Sequence, residues 1–371
     1  MAGAVAPAGF EREYDLCRLV LPDRHELFDG IDLLRRWRHP AALAATNLGR
    51  WPTSIDMLDM KRYYLESANW LAGQPEPWLS ATGEFSKGLI ASEFEAGGAR
   101  EAERHLRRSL AAFTEIGDRW GLFYASFQLC LVVDQLGDYE QAAQLLARAR
   151  EYAQALGGAD AMPVPLMTLI HSAELHTRAG EYDLAEAELA EAGASAERLG
   201  EPVAAVRVRH ARGELARHRG ELAEALALHQ TNVRLTNELA EHISPAEGLS
   251  QQFIARAHSA LGRAFALVGD NAGARELHGR AIALLATTID APVRAGVLES
   301  AADWCLSQGH AEAATVLLGA AAALRGPDAY LPEVRATREG CRAELGEATF
   351  QRALDRGHCL SNPETLALPE S

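Results

Sequence analysis

The sequence predicts an all-α protein made of stacked helical hairpins, and three observations carry this prediction. A glycine followed five residues later by an alanine recurs along the 371 residues. Apolar residues follow helical patterning on both sides of each glycine. Aromatic residues are only 6% of the chain, while alanine and leucine dominate its hydrophobic residues, a composition that suits close helix packing.

The glycine–alanine repeat has the period of an array of helical hairpins. Its occurrences are Gly97/Ala102, Gly137/Ala142, Gly180/Ala185, Gly220/Ala225, Gly269/Ala274 and Gly309/Ala314, with successive glycines 40, 43, 40, 49 and 40 residues apart. Periods in this range are typical of helical pairs that pack only on their neighbours and present an extended binding surface. The longest interval contains residues 241–245, where we expect either a longer loop or an extended helix.

The elements follow in three parts. Residues 1 to about 75 are the least regular, because Pro22, Pro40, Pro52 and Pro75 interrupt the pattern, and we expect an N-terminal helical cap there. Residues 76–325 form the repeat array. Residues 326–371 form C-terminal capping helices and a tail.

The first hairpins of the array can be placed from their turns. In the first, we expect one helix to end near Glu95 and the second to span Ala99–Ile116. The next hairpin opens at Asp118. Its first helix runs to Leu136, and its second continues to about Leu156.

Charge and hydropathy exclude two classes of partner. The formal net charge of -15 makes the chain a poor ligand for nucleic-acid phosphates or an anionic membrane surface. No segment approaches the roughly 18 uninterrupted apolar residues of a membrane span. We therefore expect no direct binding to nucleic acid and no membrane association.

The cysteines indicate a reducing compartment. Cys17, Cys130, Cys305, Cys341 and Cys359 are odd in number, far apart and in no CxxC pair, which fits buried free thiols. The first ten residues lack the basic start and long apolar run of a signal peptide. We expect a cytoplasmic protein.

The turn sequences resemble those of tetratricopeptide repeats (TPRs). Gly137-Asp138-Tyr139 followed by Ala142 matches the turn and second helix of such a repeat, and residues 180–182 followed by Ala185 match nearly as well. The resemblance implies a right-handed superhelix of about six to seven TPR-like hairpins.

Longer stretches resemble the C-terminal repeat domains of large bacterial transcription activators. These are the AfsR-type Streptomyces antibiotic regulatory proteins and the large ATP-binding LuxR-type regulators. The resemblance covers roughly residues 76–360, and its most similar stretches are GDRWGL at 117–122, LGEP at 199–202 with HARGELA at 210–216, and AATVLLGAAAALR at 313–325 with LGEA at 345–348.

This second resemblance implies a sensor or protein-interaction domain of a transcription activator. Such a domain binds a ligand or partner in its concave groove, controls the DNA-binding and ATPase domains, and is not itself an enzyme. The alternatives are a free-standing TPR adaptor that recognises a peptide segment, and a small-molecule-binding or catalytic helical array. The partners to expect are a protein or other domains of the same regulator, or an acidic small ligand or peptide, and a homodimer stays open.

Regulators of this kind carry a DNA-binding helix-turn-helix and a nucleotide-binding domain before their repeats. This chain has no GxxxxGK[ST] phosphate-binding loop, since Lys87 lies in the sequence GEFSKG at 83–88, and it has no recognisable basic recognition helix. The chain is therefore either an isolated sensor domain of a larger regulator or a free-standing relative.

The resemblance to TPRs also indicates which first-helix residues line the groove. With the repeat glycine as the fifteenth position, the groove positions are the second, fifth, ninth and twelfth. They are Tyr124, Phe127, Leu131 and Asp134; Met167, Ile170, Glu174 and Thr177; Arg207, His210, Glu214 and Arg217; Arg256, Ser259, Arg263 and Ala266; and, in the last repeat, Glu299 and Asp303.

The groove thus changes from apolar to basic to acidic along the array. Clustered arginines are the usual recognition surface for carboxylates and phosphates. We expect an acidic ligand or peptide to be held by a basic set, which is Arg207, His210, Arg217, Arg256 and Arg263, with Tyr124 and Phe127 supplying the apolar part. The alternative is that the arginines are solvated and pair with Glu214 and neighbouring acids.

No constellation indicates a metal site or catalysis. His171 and His176 are five residues apart, and His210 and His218 are eight apart, so neither pair has the four-residue spacing of a helical zinc pair. There is no GxSxG elbow and no cysteine in a recognisable catalytic setting. We expect no catalytic residue, no metal and no cofactor.

Overall fold

The computed structural model describes residues 65, 68–155, 163–242, 248–288, 290–326 and 331–370. Within these ranges all regular structure is helical and there is no strand. Most of the expected N-terminal cap lies outside the described residues, although residues 68–72 are helical. The division of the chain at about residues 75 and 325 stays a prediction.

Fourteen α-helices with defined bounds follow in the described part of the chain. They are α1 Pro77–Phe94, α2 Ala99–Ile116, α3 Arg119–Gln135, α4 Tyr139–Ala155, α5 Pro163–Ala179, α6 Tyr182–Leu199, α7 Pro202–Arg219, α8 Leu222–His242, α9 Gly248–Leu267, α10 Asn271–Ala283, α11 Ala291–Ser307, α12 Ala311–Arg325, α13 Pro332–Leu345 and α14 Glu347–His358. Short 3₁₀ helices span Leu284–Ala286 and Pro363–Thr365. The helices from α1 to α12 form the expected hairpins, and α13 and α14 add one further pair.

The chain divides into two compact units. Unit 1 contains α1 to α4, while unit 2 contains α5 to the C-terminus together with the turns at 93–98 and 135–139. The core of unit 1 is aromatic, with Phe113 and Phe123 fully buried. A Cβ atom at Gly121 would lie 2.2 Å from the Phe113 ring, so glycine at this position allows α3 to pass directly over that ring.

In unit 2 the first helices of successive hairpins pack side by side. Helix α5 contacts α7, α7 contacts α9, and α9 contacts α11. Helices α13 and α14 pack against α11 and α12, and the ring of Phe350 on α14 is fully buried in their shared core. This arrangement places the groove positions of neighbouring first helices next to one another.

The six repeat glycines confirm the predicted turns. Their φ angles lie between 71° and 86°, a region that side chains rarely adopt. At Gly180, Gly220, Gly269 and Gly309 an added Cβ would meet nothing within 4 Å. Backbone conformation rather than crowding therefore explains glycine at these turns.

The alanines that follow the turns are core residues, as the pattern predicts. All six are at most 1% exposed. With only a methyl group, each lets the second helix of its hairpin approach the first closely.

Two glycines of first helices face buried histidines of second helices. A Cβ atom on Gly213 would lie 2.6 Å from Cε1 of His229, and one on Gly262 would lie 3.1 Å from Nε2 of His278. His229 is 1% exposed and His278 is fully buried. The imidazole rings thus fill space inside the hairpins that a larger residue on the first helix would occupy.

Smaller predictions had mixed outcomes. Helix α2 has the expected bounds, and α8 extends to His242, which favours the helix extension over a loop up to that residue. Cys130, Cys305 and Cys341 are buried free thiols, but the expectation of burial is wrong for Cys359, which is exposed. None of the described helices is long and apolar enough to span a membrane.

Candidate functional site

The predicted aromatic groove residues lie on α3 in unit 1. The ring of Tyr124 stacks on Trp120 with 5.2 Å between centroids and meets Phe85 and Phe123 edge-on. Phe127 is 6% exposed and its ring lies parallel to that of Phe123. Phe127 therefore has little surface to offer a ligand, and the binding role of both residues stays a prediction.

The predicted basic residues lie together in unit 2. Arg207, His210 and Arg217 are on α7, and Arg256 and Arg263 are on α9, which packs beside α7. Helical periodicity explains the set on α7, because positions three, seven and ten residues apart share one side of a helix. We call this surface, with Glu174 and Glu214, the arginine face.

Arg256 links three successive first helices across the arginine face. Its Nε donates a hydrogen bond of 3.1 Å to Nε2 of His210 on α7, and its Nη2 lies 3.2 Å from Oε1 of Glu174 on α5. Nδ1 of His171 lies 3.2 Å from the other oxygen of Glu174. Burial would raise the pKa of Glu174, but the hydrogen bond with His171 and the charge of Arg256 outweigh it and lower that pKa.

Arg207 differs from the other arginines of this face. Nε of Arg207 is buried without a hydrogen-bond partner in the described ranges, as is Nε of Arg263, but Arg263 pairs with Glu214 and Glu333 through Nη1, whereas Arg207 makes no ion pair within those ranges. Burial and then the charge of Arg256 lower the pKa of Arg207 to about 10, while the charges of Glu174 and Asp290 act in the opposite direction. Arg207 stays protonated at neutral pH, so the face contains a desolvated cation beside a second cation.

A small cavity adjoins Arg207. Its volume is about 10 Å³, and its walls include Arg207, His210, Asn232, Phe253 and Arg256. Burial and then the charge of Arg256 lower the pKa of His210 well below its usual value, and Nε2 accepts the Arg256 hydrogen bond, which assigns the ring proton to Nδ1. This Nδ1 and Oδ1 of Asn232 are both buried without a hydrogen-bond partner in the described part of the chain.

Glu214 holds the other two arginines in place. Its Oε2 accepts from Nε of Arg217 at 3.0 Å and from Nη1 of Arg263 at 3.4 Å, while Nε2 of His229 lies 3.2 Å from Oε1. Burial would raise the pKa of Glu214, but Arg263, Arg217 and His229 together lower it well below its usual value. Glu214 is therefore ionised, and its Oε2 binds the guanidinium groups of both Arg217 and Arg263.

A carboxylate that the sequence analysis did not identify also contacts these arginines. Oε1 of Glu333, on α13, lies 2.9 Å from Nη2 of Arg217, and its Oε2 lies 3.4 Å from Nη1 of Arg263. Burial would raise the pKa of Glu333, but Arg263 and Arg217 outweigh it and lower that pKa. Glu333 could not be found from the sequence, because it lies 116 residues after Arg217.

For three of the four arginines the ion pairs fit the alternative stated from the sequence, in which the arginines pair with Glu214 and other acidic residues. Arg217 and Arg263 pair with Glu214 and Glu333, and Arg256 pairs with Glu174. Arg207 is the exception. The expected ligand-binding role of the whole set stays a prediction.

A larger, open depression lies elsewhere in unit 2. It has a volume of about 560 Å³ and is lined by the turn before α12 and by side chains that include Glu312, Glu344 and Arg356. Arg356 pairs with Glu312 at 2.6 Å, and both side chains are exposed. None of the predicted site residues lines this depression.

Comparison with known proteins supports the fold. No family model matches the chain, and no curated protein matches it. Among solved structures, the APC/C hetero-tetramer Cut9–Hcn1 matches with a TM-score of 0.51 and 13% identity over 90% of this chain and 52% of that chain. This chain therefore spans about half the length of that relative.

Two further structures are similar with lower TM-scores. A kinesin light chain with TPR-like repeats from Podospora anserina has a TM-score of 0.40 and 17% identity over 57% of this chain and 98% of that chain. A signal-transduction ATPase with numerous domains (STAND) and a tetratricopeptide-repeat sensor from Pyrococcus horikoshii has a TM-score of 0.30 and 13% identity. The match covers 80% of this chain and 55% of that chain. The helical hairpins of the described residues, together with the match to Cut9–Hcn1, confirm the all-α, TPR-like fold.

Proposed function

We propose that the chain is a protein-interaction repeat domain whose arginine face binds an acidic segment of a partner. We further propose that it serves as the sensor of a transcription activator, where binding shifts the balance between two states of the regulator. The sequence stretches at 117–122, 199–216 and 313–325 support the second part through their resemblance to activator repeat domains. Such control requires that the segment bind one state more tightly than the other.

The single observation that carries the binding proposal is the state of Arg207. Nε of Arg207 is buried without a hydrogen-bond partner among the described residues, and such a group costs more than a paired one because its desolvation is not offset. Here the adjacent charge of Arg256 increases that cost. A carboxylate placed between Arg207 and Arg256 would relieve both terms through charge-assisted hydrogen bonds.

The shape of the face favours a segment over an enclosed small molecule. The cavity beside Arg207 has about 10 Å³, whereas small-molecule pockets usually have ~300–1,000 Å³. The charged side chains of the arginine face instead form a row along one side of α7 and continue onto the neighbouring first helices α5 and α9. A row of this kind suits an extended peptide whose acidic side chains contact successive positions.

The experiment measures binding of a fluorescein-labelled peptide rich in glutamate, with the same peptide rich in glutamine as the reference. We expect the acidic peptide to bind more tightly and its affinity to fall with added salt. Arg207→Gln should weaken binding, whereas Arg209→Gln, two residues along α7 and on another side of the helix, should leave it unchanged. Equal anisotropy curves for wild type and Arg207→Gln would contradict the proposal.

The regulatory part needs a separate test. An immunoblot of source cells with an antibody to this chain gives the size of the native polypeptide. A band far above the 40.1 kDa of this sequence supports a sensor within a larger regulator. A band near 40 kDa would instead support the free-standing adaptor, which uses the same binding face.

A further inference from the structure

Glu333 occupies part of the arginine face from a distant point in the sequence. It is the second residue of α13, the helix that follows the last repeat hairpin. Its two carboxylate oxygens reach Arg217 on α7 and Arg263 on α9, which are 116 and 70 residues earlier in the chain. Nε2 of His218 lies 3.4 Å from the same oxygen that contacts Arg217.

The geometry is that of a bound carboxylate. One carboxylate bridges guanidinium groups from the first helices of two successive hairpins, with N–O distances of 2.9 and 3.4 Å. A ligand carboxylate at this position would find the same donors, because both arginines point their Nη atoms at it. The chain itself thus shows which chemical group this end of the face accepts.

The arginines do not depend on Glu333 for their position. Glu214 contacts both of them from below, at 3.0 and 3.4 Å, and its side chain is 19% exposed. Glu333 is 53% exposed and can turn away into solvent. Because half of the Glu333 side chain already contacts water, its release costs less than that of a buried carboxylate, and a ligand carboxylate of comparable geometry can take its place.

We propose that Glu333 is an internal occupant of the Arg217–Arg263 carboxylate site, which an acidic partner segment must displace. This proposal rests on the proposed function and adds its regulation. Arg207 and Arg217 are ten residues apart on α7, so their backbones are separated by about 15 Å along the helix. An extended peptide advances about 13 Å in four residues and places side chains four positions apart on the same face, so we expect acidic side chains four positions apart in the partner.

The test uses a labelled peptide with two glutamates four positions apart and an isomer in which they are adjacent. We expect Glu333→Gln to tighten binding of the first peptide by about fivefold, the equivalent of ~1 kcal/mol, because the competing carboxylate is removed. Glu339→Gln removes an exposed carboxylate from the same helix and should leave the affinity unchanged. The isomer should gain less from Glu333→Gln, since it cannot reach both ends of the face.

The outcomes separate this proposal from the function on which it rests. If Glu333→Gln leaves the affinity unchanged or weakens it while Arg207→Gln and Arg217→Gln weaken binding, the displacement model is overturned and the binding function remains. If neither arginine variant changes the affinity, the binding function itself fails. Should Glu333→Gln not fold, hydrogen exchange of the wild type decides. Added peptide should speed exchange at residues 335–338 of α13, beginning with the N–H of Arg335 that bonds to the carbonyl of Leu331, and unchanged protection there overturns displacement.

Discussion

His278 should make the stability of unit 2 strongly dependent on pH. Its ring is fully buried on α10 against Gly262 and Trp304, and within the described residues neither ring nitrogen has a hydrogen-bond partner. Burial first, and then the charge of Arg263, lower the pKa of His278 to about 3 from a usual value of 6.5. The folded protein therefore keeps this ring neutral at a pH where the unfolded chain protonates it.

The sign and size of the effect follow from proton linkage. Between pH 6.5 and pH 3 the unfolded state binds one more proton, so the free energy of unfolding falls as the pH falls. From pH 7 to pH 5 the loss from this one residue is about 2 kcal/mol, and from pH 7 to pH 3 it is about 4 kcal/mol. Well above pH 6.5 both states are neutral and His278 contributes no pH dependence.

The perturbation is His278→Leu, which has a similar volume and no titrating group. Urea unfolding followed by circular dichroism should show that the variant loses about 2 kcal/mol less than the wild type between pH 7 and pH 5. At pH 7 the variant should be at least as stable, because it buries no unpaired ring nitrogen. His358→Leu, at the exposed end of α14, is the matched control and should keep the wild-type pH profile.

Parallel pH profiles for the wild type and His278→Leu would refute this reasoning. They would mean that the ring is solvated or hydrogen-bonded in the folded state. The difference between the two proteins isolates His278, because the other histidines with lowered pKa values contribute equally to both.

Two further substitutions test the packing of unit 2 by urea unfolding. Gly319→Ala should destabilise the protein by about 1–3 kcal/mol, because the added Cβ would lie 2.1 Å from the carbonyl oxygen of Leu354 where α12 crosses α14. In the control Gly279→Ala the added Cβ would meet nothing within 4 Å, so this substitution should stabilise the protein by ~0.5–1 kcal/mol. Equal effects of the two would contradict the close crossing. Glu299→Gln should cost about 1–3 kcal/mol, because it removes the charge of the carboxylate that binds the buried guanidinium of Arg325 at 2.6 and 2.7 Å. An unchanged free energy of unfolding would show that this pair is solvated.

The repeat turns and their alanines could be predicted because they are local. A positive φ angle at Gly137 and a buried methyl group at Ala142 depend on residues within one hairpin, and the same requirement recurs in every repeat. The face on α7 was predictable for the same reason. Residues at three-, seven- and ten-residue spacing share one side of a helix whatever it packs against.

The aromatic part of the predicted groove shows where this reasoning stops. Tyr124 and Phe127 occupy groove positions by spacing, yet Phe127 lies in an aromatic cluster with Phe123 and is 6% exposed. Periodicity predicts on which side of a helix a residue lies, but it does not predict how deeply other helices bury that residue. The burial of Phe127 follows from large rings on neighbouring helices, which sequence spacing does not reveal.

By itself the sequence determined the helical hairpins, their turns and the row of arginines on first helices, because each depends on residues a few positions apart. Only the tertiary structure decided which charges meet. It placed Glu174 and Glu333, which are far apart in sequence, on arginines of the same face, and left Arg207 without a hydrogen-bond partner for Nε in the described chain. Partners of a charge depend on how successive hairpins pack, and packing brings together residues more than a hundred positions apart.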